Sequence, residues 1–145
     1  MALSPTEVEV LYGESKKLLE LWMRTKLAFL KAFGGGEISK EQENDYLQLK
    51  SEISRMYRAM GERLPKGLHF DGDKMMEMLK NAMTMEHLKR QPPSERRTFY
   101  GTWHRVYIKL TRTLGALEVM GEGYYPHMHR KLLEVKGGAG KGKKK

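Results

Sequence analysis

The chain has 145 residues, no cysteine and a net charge of +9. That length suits one domain with a sizeable core rather than two. The missing cysteines exclude disulfides, thiolate metal sites and thiol chemistry, and fit a reducing compartment. No apolar run approaches the ~20 residues of a membrane span, and Met1–Val10 lacks the basic–apolar–small order of a leader, so a cytoplasmic protein is the expectation. A pI near 9.7 favours polyanionic partners. Four of the positive charges sit in 137–145, however, so the body is only moderately basic.

Ser4-Pro5-Thr6-Glu7 reads as a helix start: a capping hydroxyl, proline at the first helical position and a carboxylate three residues after the cap. Val8, Leu11, Tyr12, Leu18, Leu19, Trp22, Phe29, Leu30 and Phe33 then mark a wide apolar face, so a first helix is expected to run to Phe33. Gly34-Gly35-Gly36 ends it, because three glycines carry too large an entropy cost for a helix. Ser39, with Gln42 three residues on, caps a second helix whose Tyr46, Leu49, Ile53, Met56 and Met60 step by three or four. The short glycine connection makes these two an antiparallel hairpin. Pro65 ends the second helix near Arg63.

A shorter third helix is expected from Asp71 or Asp73 to about Leu88. It holds Met75, Met76, Met78, Met83 and Met85. Flexible thioethers either fill an irregular core or form an adaptable partner-binding surface, and these five cannot all face one way. Pro92-Pro93 interrupts the chain and Ser94 is read as the cap of a fourth helix. There Phe99, Trp103, Val106, Leu110, Leu114 and Leu117 form a single stripe, and Gly121 and Gly123 end it. Gly101 and Gly115 lie on one side of this helix with Ile108 midway, a smooth strip for close helix packing or for a partner's backbone. Residues 1–136 thus read as a single all-α antiparallel bundle of about four helices, three long and one shorter. Residues 137–145 read as a flexible glycine–lysine tail. Trp22, Phe29, Ile53, Met56, Trp103, Val106, Leu110 and Leu117 are the expected core.

The chemistry of known motifs is largely missing. Gly137-x4-Gly142-Lys143 begins like a phosphate loop, but Lys144 stands where Ser or Thr belongs and no helix follows to supply amides. No Glu-x-x-His occurs for a carboxylate-bridged metal pair, Asp71-x-Asp73 does not continue into a calcium loop, and His127-x-His129 lacks identified co-ligands. No nucleophile elbow, dinucleotide turn or kinase element appears, so neither catalysis nor a cofactor is expected.

The basic residues are the remaining signal. Arg96, Arg97, Arg105, Lys109 and Arg112 crowd the fourth helix near Tyr100 and Tyr107, and Lys141, Lys143, Lys144 and Lys145 extend the charge into the tail. Guanidinium forks match phosphates, tyrosines stack on unpaired bases, and mobile lysines gain affinity by counterion release. The leading expectation is therefore a non-enzymatic protein that contacts RNA or a ribonucleoprotein. The alternative is a scaffold subunit that docks onto a helical protein, or onto its own copy, through the methionine-rich third helix and the seam of the second.

Overall fold

The computed structural model describes residues 3–121 apart from His69. Within them the chain is all-α: α1 (Pro5–Phe33), α2 (Lys40–Gly61), a 3-10 turn (Lys66–Leu68), α3 (Gly72–Asn81), α4 (Met85–Lys89) and α5 (Pro93–Gly121). The tail at 137–145 lies outside the described residues, as do His127 and His129.

Both expected capping boxes form. Ser4 Oγ accepts from the Glu7 N–H at 3.1 Å while the Glu7 carboxylate accepts from the Ser4 N–H at 2.9 Å. Ser39 and Gln42 repeat the exchange at the head of α2. The Ser4 donors hold the exposed Glu7 carboxyl below its ordinary range. Gly35, at φ +77, takes the left-handed turn that separates α1 from α2. At the far end of the hairpin Arg63 pairs with Glu14, which fixes the antiparallel sense.

α1 is the hub, packing along α5, α2 and α4, while α3 closes the other side of α5 and touches α2. The α1–α5 seam is aromatic. The Trp22 and Trp103 rings lie 6.3 Å apart and 5° from parallel. Each indole N–H donates to the other tryptophan's carbonyl, at 3.0 and 2.8 Å. Phe29, Phe33, Phe99 and Tyr100 continue the contact toward the α1 C-terminus, so α1 and α5 are antiparallel. Of the expected core, Trp22, Phe29, Ile53, Trp103, Val106, Leu110 and Leu117 are buried. Met56 is only half-buried, because it lies at the α1–α2 edge beside a shallow depression lined by Val10 and Gly13. Leu114 is likewise half-buried and Leu30 is exposed.

Two boundaries differ from the sequence reading. Ser94 is not the cap of the last helix: Pro93 already occupies its first position, where a missing N–H costs nothing, and the Pro92 carbonyl accepts from Glu95 and Arg96 at 3.0 and 3.1 Å.

The second difference is that the third helix is two helices. Between Asn81 and Met85 the backbone leaves helical geometry, and α2 satisfies the groups thus freed. The Tyr46 hydroxyl donates to the Ala82 carbonyl at 2.7 Å, and Lys50 Nζ donates to the Ala82 and Met83 carbonyls at 3.1 and 3.0 Å. The Glu43 carboxylate accepts from the Met85 and Glu86 N–H groups at 2.8 and 3.0 Å, a charge placed where the α4 dipole favours it. Thr84 adds its own cap to the His87 N–H at 2.9 Å. Glu43, Tyr46 and Lys50 share one face of α2, so that face replaces the hydrogen bonds a continuous helix would have made itself.

Candidate nucleic-acid interface

α5 owes its position to its buried stripe, so its opposite side faces out. The five basic residues expected there separate into two groups. Arg96 and Lys109 are engaged within the fold. The Arg96 guanidinium donates to the carbonyls of Gln91, Phe33 and Lys89 at 2.9, 3.3 and 3.2 Å, and lies 5.3 Å from the Phe33 ring centre. It ties the C-terminal ends of α1 and α4 to the start of α5, where the last carbonyls of a helix have no partner of their own. Lys109 Nζ sits 3.1 Å from the Asp71 carboxylate. Asp71 holds the left-handed φ of 68 that starts α3, a conformation Asp tolerates better than most residues.

Arg97, Arg105 and Arg112 are exposed and have no ion pair among the described residues. Arg105 makes only a long 3.4 Å contact to Thr102 Oγ1. The strip between them is open. A Cβ at Gly101 would meet only Arg105 Nη1, at 4.0 Å, and one at Gly115 would meet nothing within that distance. Ile108 midway is 37% exposed. Among the described residues, therefore, no other helix packs on these glycines.

Along the flank runs a ladder of nearly parallel rings. Trp103 stacks on Tyr107 at 5.1 Å and Tyr107 on His104 at 6.2 Å, so the aromatic surface passes from the Trp22 core contact out to solvent at His104. Lys26 Nζ lies 4.8 Å from the Trp103 ring centre. Tyr100 packs edge-on against Phe33 at 5.3 Å, and burial pushes its hydroxyl upward against the opposing pull of Arg96. Both tyrosines thus seal the core edge. Lys141, Lys143, Lys144 and Lys145 lie outside the described residues.

The methionines of the alternative surface are mostly internal. Met75, Met78 and Met85 are buried and Met76 is half-buried, leaving Met83 as the exposed member at the α3–α4 break. They fill the irregular space where two short helices cross longer ones. Tyr46, Ile53 and Met60 of the second-helix seam are buried in the same core. Among the described residues no three His, Asp or Glu side chains converge as metal ligands would. No helix among them is long and apolar enough to cross a membrane. Comparison with protein-family models, curated proteins and solved structures gives no match for this chain.

Sequence reasoning missed the Arg96 clamp, the Asp71–Lys109 pair and the ring ladder. The four-residue step from Trp103 to Tyr107, with His104 between them, is the signal that points to the ladder. The first two join residues from different elements and leave no periodic trace.

Proposed function

We propose that this chain is a non-enzymatic nucleic-acid-associated protein that lays the outer face of α5 along phosphates, with RNA or a ribonucleoprotein as its target. The observation that carries the reading is the trio Arg97, Arg105 and Arg112, exposed and unpaired among the described residues beside the open Gly101–Gly115 strip. The trio spans about two turns between neighbours, roughly 11 Å. Guanidinium groups on one straight helix contact phosphates without reading bases, so specificity would come from shape or from a protein partner.

The test is fluorescence anisotropy with labelled single-stranded and duplex RNA across a salt series. The expected result is binding that weakens steeply with salt. Arg105→Glu with Arg112→Glu should lower affinity at least tenfold and flatten the salt slope by about two phosphate contacts. The same changes should leave helicity unaltered, since neither side chain is packed. Absence of binding at low salt would end this reading.

A further inference from the structure

α1 carries three of the large apolar side chains that are exposed among the described residues. Met23, Leu27 and Leu30 are 44%, 65% and 50% exposed, and their spacing of four and three makes them one ridge on α1. Leu27 is the member of the ridge that reaches a groove of about 460 Å³ between α1 and α2, lined also by Ala28 and Leu49, with Arg24 and Lys31 on the α1 wall and Asp45 and Glu52 on the α2 wall.

The charges along this groove are ordered. The hairpin is closed by the turn after Phe33 at one end and by the Glu14–Arg63 pair at the other. Residue numbers therefore fall along α2 as they rise along α1. Lys31 stands level with Asp45, Leu27 with Gln48, Arg24 with Glu52 and Glu20 with Arg55. Among the described residues none of these six charged side chains is ion-paired. Arg24 and Lys31 line the groove from the α1 side, and Asp45 and Glu52 from the α2 side.

We infer that this face is a self-association surface and that its occupant is a second copy of the chain. A half-turn about an axis parallel to the two helices sets α1 of each copy over α2 of the other, antiparallel, with heights preserved. Lys31 then meets Asp45 of the second copy, Arg24 meets its Glu52 and Glu20 meets its Arg55, and every pair occurs twice. Leu27 of each copy enters the groove of the other. All neighbours in the resulting four-helix arrangement are antiparallel, as in up-down-up-down bundles. The opposite choice, α1 on α1 and α2 on α2 with reversed sense, brings Asp45 against Glu52 and is disfavoured by like-charge repulsion. The surface is separate from the arginine face of α5, so a dimer would present two such faces.

Sedimentation velocity of the full chain from low to roughly 100 μM, a range that captures interfaces of modest size, tests the inference. The expected result is a concentration-dependent species at twice the 16.8 kDa chain mass. Leu27→Ser should raise the dissociation constant tenfold or more. Arg24→Glu and Glu52→Arg should each do the same, and combined they should restore dimerisation because the pair is exchanged rather than lost. Circular dichroism holds each variant to the parent's helicity. A chain that stays monomeric over the whole range overturns the inference. So does a dimer indifferent to Leu27→Ser, or one that the double charge exchange fails to restore.

Discussion

Two glycines show how differently one residue type is used here. A Cβ at Gly72 would fall 1.9 Å from Tyr57 Cε1. That ring cannot simply swing away: it packs edge-on against Phe70 at 6.0 Å and its hydroxyl donates to Asp73 at 3.1 Å. Gly72→Ala should therefore destabilise by about 1–3 kcal/mol through overpacking. Gly115→Ala, in mid-helix with open space around it, should stabilise by about 1 kcal/mol. Chemical denaturation of the two variants checks both signs. Tyr46 carries a pH prediction. Burial, with the nearby Glu43 charge, raises its hydroxyl above the ordinary value of 10.0. A folded-state pKa above the unfolded one gives a contribution that is whole below about pH 10 and is lost as pH climbs through the folded value. Lys50 acts in the opposite sense: burial pushes its ammonium down, so its cost in the folded state fades as pH rises. The Tyr46 effect is isolated by comparison with Tyr46→Phe, which should flatten the alkaline loss of stability while lowering stability at neutral pH.

At the scale of elements, the α3–α4 break depends on α2. Glu43→Ala removes the acceptor for two backbone N–H groups at the head of α4 and should cost about 1–3 kcal/mol. Hydrogen exchange should accelerate at residues 85–89 before it does in α1 or α5. This break also shows what the chain makes legible before folding. Periodic apolar spacing places α1, α2 and α5 to within a residue or two, and capping chemistry fixes the starts of α1 and α2, because those signals are local. The break is not legible. It is stabilised by a tyrosine, a lysine and a glutamate that are distant in sequence from the groups they satisfy, the Tyr46 contact to Ala82 spanning 36 positions. The arginine face was legible as a cluster, yet not in its division. Arg96 and Arg97 are neighbours in sequence, and only the helix ends gathered around Arg96 make it a clamp. Arg96→Lys, which keeps the charge but not the three-way fork, should lower stability by about 1–3 kcal/mol in a thermal melt and leave RNA affinity within a few-fold.

The whole molecule is organised on α1, which shares one side with α5 through rings and another with α2 through apolar side chains. If the hairpin face pairs with a second copy, the melting temperature should rise with protein concentration, by the amount that mass action requires. Leu27→Ser should remove that dependence. The mutual indole clasp of Trp22 and Trp103 has a practical consequence at this scale. The chain has two tryptophans and both lie in the same seam, near-parallel and buried. Intrinsic emission therefore reports on a single joint. It follows the docking of α5 onto α1 and is blind to the hairpin's outer face and to the α3–α4 break. Set against far-ultraviolet circular dichroism, which counts all helices together, emission that changes first would mark the α1–α5 seam as the part of the protein that opens earliest.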